Sequence, residues 1–177
     1  ACPLGLAPTA STTAQMALGD ALAVALLEQR RFSAEDFARS HPGGALGRRL
    51  LTHVSDVMRA GDALPTVTRD ASMSQAILEM SRKGMGMTAV LGPDRRVAGI
   101  FTDGDLRRAM EKTVDLRNTP IERLMSVNPR TIRAGRLAVE AVRLMETHRI
   151  TALPVVDDAG TLVGALNVHD LLRAGVM

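Results

Sequence analysis

A 65-residue internal repeat is the feature that most constrains the fold of this chain. The segment GIFTDGDL at residues 99–106 recurs as GALNVHDL at residues 164–171, an offset of 164 − 99 = 65. The apolar helical spacing i, i+3, i+4, i+7 that begins at Met73 also recurs, from Ala138. Two copies of one pattern predict two small units of similar fold, each covering the apolar face of the other. Two copies are too few for a solenoid.

The composition limits the core and the partners. The chain has 177 residues, of which 46% are hydrophobic and 2% aromatic, so we expect one domain or two small ones with an aliphatic, methionine-rich core. The net charge of +3 suits an anionic small molecule. Because side chains that could stack on bases are scarce, no nucleic-acid partner is expected.

Cysteine content and hydropathy indicate a cytoplasmic location. Cys2 is the sole cysteine, so there is no disulfide framework and a reducing compartment is expected. No signal peptide is recognisable. The apolar stretch Ala21–Leu27 is too short to span a bilayer and lies between Asp20 and Glu28, so no membrane partner is expected either.

The expected order of elements in each copy is β-α-β-β-α. In the first copy, Ser72 and Gln75 form a capping-box pattern for the first helix, whereas Gly135 offers a weaker start in the second copy. A second helix is expected from Asp103 and again from Val168. The strands are expected at 66–68, 87–91 and 97–102, and at 131–133, 152–156 and 162–167.

The segment before the repeats is expected to be mostly helical. Thr12 and Gln15 fit a capping box for a helix ending near Arg30, and Ser33 is a candidate N-cap for a short helix to Ala38. A loop with the residues Ser-His-Pro-Gly-Gly follows at 40–44, and a third helix is expected at 45–51.

The two copies resemble a tandem pair of CBS domains, the cystathionine-β-synthase type of regulatory module. The resemblance rests on the repeated Gly-hydrophobic-hydrophobic-Thr-x-x-Asp-Leu motif, in which the second copy has Asn167 instead of threonine. It covers residues 54–177 and implies an α/β (α+β) fold, with one CBS domain at 54–111, a polar linker, and a second CBS domain at 121–177.

The motif is suited to binding a phosphorylated ligand. Thr102 ends a strand, and the helix that follows would present free backbone N–H groups to a phosphate. Asp105 can accept hydrogen bonds from two vicinal ribose hydroxyls. The CBS resemblance implies a nucleotide between the copies, held by Thr102 and Asp105 and by their counterparts Asn167 and Asp170. The alternative is that these four residues only cap helices.

Several basic residues could neutralise the ligand's charge, although each of them also fits a solvated helix face. These candidates are Lys83, Arg107, Arg108, His148 and Arg149. No metal is expected, because metal-type spacing is absent among His41, His53, His148 and His169.

The first 52 residues resemble the C-terminal end of a sugar-isomerase (SIS) domain. The residues that carry this resemblance are Cys2–Thr9, the Ala/Leu-rich helix and the loop Ser40–Gly44. Joined to a CBS pair, they resemble the arabinose-5-phosphate isomerase family, which interconverts ribulose 5-phosphate and arabinose 5-phosphate and supplies Kdo for lipopolysaccharide. The resemblance implies that His41 belongs to the active site, where proton transfer through an enediol requires a base that titrates near neutrality.

The isomerase resemblance carries further expectations. The sheet and phosphate loop of the SIS domain would lie upstream of Ala1, so the chain alone is expected to be inactive. A tetramer is expected for the full-length family. The apolar surface of residues 1–52, which we call the head, should promote self-association. No cofactor is required, and the effector would be CMP-Kdo or an adenine nucleotide. The alternatives are a CBS pair that serves oligomerisation only, and a free-standing nucleotide sensor.

Overall fold

The computed structural model describes residues 7–33, 36–37, 51–111, 115 and 117–177. The predicted active-site residue His41 lies outside the described residues. So do residues 45–50 of the predicted third helix. At the start of the predicted Ser33–Ala38 helix, the Ser33 hydroxyl accepts a hydrogen bond from the backbone N–H of Asp36 at 3.2 Å.

Helix α1 (Ala10–Gln29) has Thr9 as its N-cap and so begins three residues before the start that a Thr12 cap predicted. The predicted Thr12–Gln15 capping box was wrong, because Thr12 lies inside the helix and its hydroxyl donates to the carbonyl of Pro8 at 2.7 Å. The first turn therefore has no side-chain cap.

The side chains of α1 are exposed, including Met16, Leu18 and Leu22, which are 67%, 62% and 57% exposed. A helix that is apolar on all sides is usually covered in a complete protein. By length and composition alone, α1 could also cross a membrane, contrary to the sequence-based expectation. Core helices of soluble proteins have the same length and composition. Self-association through α1 stays a prediction.

The first sheet has four strands in the order β1-β2-β3-β4, and it is built mainly from the first copy. Strand β1 runs parallel to β2, and the other neighbours are antiparallel. The elements are α2 (Val54–Val57), β1 (Thr66–Thr68), α3 (Met73–Lys83), β2 (Met87–Leu91), β3 (Val97–Thr102), α4 (Asp103–Met110) and β4 (Ser126–Val127). Ser72 and Gln75 cap α3 as predicted.

The second copy forms a three-stranded sheet, β5-β6-β7. Its elements are β5 (Ile132–Arg133), α5 (Ala138–His148), β6 (Ala152–Val156), β7 (Leu162–Asn167) and α6 (Val168–Arg173). The predicted helix start at Gly135 was wrong. Helix α5 begins at Ala138 with Leu137 as its N-cap, because the carboxylate of Glu140, three residues on, accepts a hydrogen bond from the Leu137 backbone N–H at 3.2 Å.

The two copies exchange their first residues. Strand β4, which belongs to the second repeat in sequence, pairs with β3 of the first repeat. In return, Arg59 of the first repeat forms a bridge with Ala165 of β7. Val54 is buried in the core of the second copy, and Ile121 in that of the first. Each sheet is thus completed by the other repeat.

A shared core joins the two sheets. Met87 and Ala89 of β2 pack in one buried cluster with Ala152, Leu162 and Ala165 of the second copy. These residues are small or aliphatic, as the composition predicted. The repeated motifs at the C-termini of β3 and β7 therefore lie beside the contact between the copies.

Candidate functional site

Two clefts lie between the copies, and the 65-residue offset relates one to the other. We call them the arginine cleft and the asparagine cleft, with volumes of about 470 Å³ and 420 Å³. Both fall within the usual size range for small-molecule sites. The arginine cleft is lined by Gly86, Ile100, Thr102, Asp103, Gly104, Arg107, Arg108, Arg149, Ile150, Thr151 and Ala152. The asparagine cleft is lined by Gly84, Met85, Gly86, Asp103, Thr151, Asn167, Val168 and His169.

Each cleft combines the end of the third strand in one copy with the loop before the second strand in the other. Thr102 of the arginine cleft corresponds to Asn167 of the asparagine cleft, and Arg149 corresponds to Gly84. The fold therefore supplies one binding geometry twice, while the side chains that face the ligand differ.

Asp105 points back into its own helix start rather than into the cleft. Its Oδ2 accepts hydrogen bonds from the Thr102 backbone N–H and hydroxyl, at 2.9 and 2.7 Å. Its Oδ1 accepts from Arg108 at 2.7 Å and from the Ser126 hydroxyl at 2.9 Å. Thr102 and Asp105 thus form a capping box for α4. The ribose-binding role of Asp105 stays a prediction.

The same hydrogen bonds determine how Asp105 titrates. Burial alone would raise the pKa of this carboxyl, but hydrogen bonds from Thr102, Arg108 and Ser126 outweigh burial and leave the pKa below its ordinary value. The ionised form is consequently the one that stabilises the fold.

Acidification is expected to remove this contribution. Because the folded pKa of Asp105 is lowered, its stabilisation is present above the unfolded pKa, about 4, and is lost as the pH falls through the folded pKa. Urea unfolding between pH 7 and pH 3 should therefore show that Asp105→Asn is less stable than wild type at pH 7, with the difference shrinking below pH 4. A constant difference across that range would contradict the prediction. Asp158→Asn, at a carboxylate that is 93% exposed, provides the control.

Asp170 is held by an arginine from the other copy. Arg59 Nε lies 3.1 and 3.2 Å from the two carboxylate oxygens of Asp170, and a terminal nitrogen lies 3.0 Å from Oδ1. The other terminal nitrogen of Arg59 donates to the Lys83 carbonyl at 2.8 Å. The Asn167 backbone N–H also donates to Asp170, at 3.1 Å. One guanidinium therefore connects both copies.

Sequence reasoning missed Arg59. The two repeats could have been aligned at Met58 and Met125, each of which ends the first helical turn of its repeat. Met58 contacts Gly164, and Met125 contacts the equivalent Gly99. The next residues, Arg59 and Ser126, are consequently equivalent. Each donates to the motif aspartate of the other copy.

Asn167 also serves as a helix cap. Its side-chain oxygen accepts from the Asp170 backbone N–H at 3.0 Å, and its amide nitrogen lies 3.5 Å from the Met85 carbonyl. Asn167 lines the asparagine cleft, but its amide already has partners on both copies. Its role toward a ligand stays a prediction.

The structure brings together three of the five predicted basic residues. Arg107, Arg108 and Arg149 line the arginine cleft. Lys83 and His148 instead lie next to lining residues, and the Lys83 ammonium donates to the Asp62 carbonyl. Within the part of the chain that the structure describes, His, Cys, Asp and Glu form no group that could hold a metal ion.

Comparison with known proteins identifies a family and close relatives. The sequence model of the CBS domain family matches residues 54–112 and 121–176. Arabinose 5-phosphate isomerase KdsD of Pseudomonas aeruginosa is 60% identical over 177 residues, which is 100% of this chain and 54% of that protein. The Escherichia coli (strain K12) enzyme is 54% identical with the same coverage. The chain thus spans about half the length of the curated relatives it matches.

Solved structures show the same fold. CBSX2 in complex with AMP is 25% identical with a TM-score of 0.60, and the match covers 71% of this chain and 96% of that one. The CBS domain pair of protein MJ0100, in complex with 5′-methylthioadenosine and S-adenosyl-L-methionine, is 22% identical with a TM-score of 0.62. That match covers 69% of this chain and 94% of that one. At that identity, the MJ0100 match shows the fold alone.

Proposed function

The chain belongs to the CBS domain family, and from that premise we propose that it is the regulatory part of an arabinose 5-phosphate isomerase that binds an anionic nucleotide-type effector. The observation that carries the proposal is the similarity to the isomerases over all 177 residues, which includes the head as well as both CBS copies.

The proposal assigns chemistry to the longer protein. That protein interconverts ribulose 5-phosphate and arabinose 5-phosphate in the cytoplasm, as a homotetramer, with His41 in the active site and no cofactor. The chain alone, which spans about half of its relatives' length, lacks this activity. The product serves the synthesis of Kdo for lipopolysaccharide.

The clefts between the copies support the effector part of the proposal. They have the volume of a small-molecule site. One of them carries three arginine side chains that suit phosphate. CBSX2 shares the fold and is complexed with AMP, so an adenine nucleotide is one candidate and CMP-Kdo is the other. To regulate the enzyme, the effector must bind two conformations of the protein with different affinities.

A second candidate function is a CBS pair that serves oligomerisation only. Asp105 and Asp170 favour it, since both carboxylates are engaged by donors of the protein itself. In that case neither cleft binds a nucleotide, and the pair acts as a rigid connector between subunits.

Calorimetry separates the two candidates. We expect the chain to bind at least one of AMP, ATP, CMP and CMP-Kdo with a dissociation constant below 1 mM, because charge-assisted hydrogen bonds to phosphate strengthen the complex. The predicted ribose-binding role of Asp105 requires that its carboxylate turn from Thr102 and Ser126 to the ligand; in that case Asp105→Asn should weaken binding, whereas Asp94→Asn, in a turn away from both clefts, should not. Absence of heat with all four ligands at millimolar concentration would favour the oligomerisation module. Unchanged binding by Asp105→Asn would show that the carboxylate does not contact the ligand.

A further inference from the structure

We infer that the two clefts are not equivalent: the arginine cleft binds the phosphate or pyrophosphate group of the effector, and the asparagine cleft does not. This inference rests on the proposed function, because it names the cleft and the residues through which the effector acts. It follows from differences between positions that the repeat makes equivalent.

The first difference is charge. Arg107, Arg108 and Arg149 line the arginine cleft, against the single carboxylate of Asp103. Among the described residues, the lining of the asparagine cleft also includes Asp103 but no lysine or arginine. At the positions equivalent to Arg107 and Arg149, the other copy has Leu172 and Gly84. A phosphate group therefore meets a net positive lining in one cleft only.

The second difference is whether the cations are free. Among the described residues, neither Arg107 nor Arg149 has an ion-pair partner. Arg108 pairs with Asp105, but its side chain is 65% exposed. The Asp105 carboxylate is only 7% exposed, but it keeps three other donors, the Thr102 N–H and hydroxyl and the Ser126 hydroxyl, when Arg108 turns toward a phosphate. Three guanidinium groups are thus available to one anion.

Near the asparagine cleft, the guanidinium of Arg59 is not free to bind a phosphate. Arg59 is only 23% exposed, and it is fixed by both oxygens of Asp170 and by the Lys83 carbonyl. Turning it toward a ligand would leave the buried Asp170 carboxylate without its counter-ion, which is costly. The Arg59–Asp170 pair therefore holds the copies together and contributes no phosphate contact.

The backbone at Arg149 supports a role beyond the fold. Arg149 ends α5 in the left-handed conformation with φ = 52°, while the equivalent Gly84 ends α3 with φ = 57°. Glycine adopts this conformation without the steric cost that arginine incurs. The chain thus has a residue that is unfavourable for the helix end at a position that lines the arginine cleft.

The test replaces arginines with the residues that the other copy has at the same positions. Wild type, Arg149→Gly and Arg107→Leu are titrated calorimetrically with pyrophosphate, AMP, ADP and ATP. We expect one site per chain for the nucleotides and affinity that rises from AMP to ATP. Each substitution should weaken binding at least about tenfold. Because glycine relieves the strain at position 149, Arg149→Gly should unfold at a temperature no lower than wild type, so its weaker binding cannot be attributed to misfolding.

Matched controls lie in the other copy. Arg173→Ala removes the counterpart of Arg108, and His169→Ala removes a lining residue of the asparagine cleft; both should bind like wild type. Two equal nucleotide sites, or weakening by His169→Ala with none by Arg149→Gly, would overturn the inference and leave the proposed function standing. Pyrophosphate binding that depends on Arg149, without binding of any adenine nucleotide, would support the anion site and overturn an adenine nucleotide as the effector. Absence of binding by all four ligands would overturn the inference, and absence of binding by CMP and CMP-Kdo as well would overturn the proposed function.

Discussion

Replacing Arg59 with alanine is expected to lower the free energy of unfolding by about 3 kcal/mol. The guanidinium contacts both oxygens of Asp170, whose side chain is only 6% exposed, and also the Lys83 carbonyl. Without Arg59, the carboxylate stays buried with too few donors, and unpaired buried charges cost several kcal/mol. The partial exposure of Arg59 admits some water, which keeps the expected loss near the lower end of that range.

Urea denaturation at pH 7 measures this loss. Arg96→Ala serves as the control, because Arg96 and Asp94 form an ion pair of similar length, 3.2 Å, with both side chains more than half exposed. Surface pairs of this kind contribute less than about 1 kcal/mol. The double variant Arg59→Ala/Asp170→Asn should recover part of the loss, since it removes the buried charge as well. Equal effects of Arg59→Ala and Arg96→Ala would show that the pair does not stabilise the protein.

The regular part of the fold could be predicted from the sequence because its signals are local. The strands at residues 87–91, 97–102, 152–156 and 162–167 have the predicted bounds. The capping box at Ser72 has its side-chain pattern within four residues. The predicted helix starts at Thr12 and Gly135 were wrong because other local interactions are made at these helix starts. The Thr12 hydroxyl donates to the Pro8 carbonyl within α1, and the Glu140 carboxylate accepts from the Leu137 N–H at the start of α5.

The exchange between the copies could not be predicted in this way. Strand β4 has two residues, and the segment at Arg59 pairs through a single bridge. Segments this short cannot show the alternation of apolar and polar residues that predicts a strand. Their partners lie far away in sequence, at Ile100 and Ala165. The sequence therefore named the motif aspartates and their donors within the same repeat, but it missed Arg59 and Ser126, the donors that come from the opposite repeat.

The candidate site, like the fold, could be predicted only in part from the sequence. The type and position of Arg107, Arg108 and Arg149 indicated cations for an anion, and the fold brings these three together. The difference between the clefts depends on which residues stand at equivalent positions in three dimensions. That comparison becomes possible only when Gly84 and Arg149 are seen to end equivalent helices that face opposite clefts.

Gly164→Ala is expected to destabilise the protein by about 2–3 kcal/mol, because the exchanged segment lies directly against this glycine. A Cβ at position 164 would lie 2.5 Å from the Met58 sulfur and 3.0 Å from the Arg59 carbonyl oxygen. The methionine tip can move, but the carbonyl belongs to the bridge between Arg59 and Ala165. Relief of the clash therefore requires that Arg59 move away from β7, and its contact with Asp170 weakens too.

Thermal and urea unfolding of two glycine variants test this account. Gly135→Ala is the matched control, since a Cβ at position 135 meets no atom within 4 Å. Because alanine restricts the unfolded chain, this control should unfold at the wild-type temperature or above it. Shortening the methionine in Gly164→Ala/Met58→Ala removes the sulfur contact but not the carbonyl contact, so it should restore only part of the stability lost through the clash. Full restoration would show that the methionine alone opposes the new methyl group. Equal stability of Gly164→Ala and Gly135→Ala would show that the first residues of one repeat do not press on the sheet of the other.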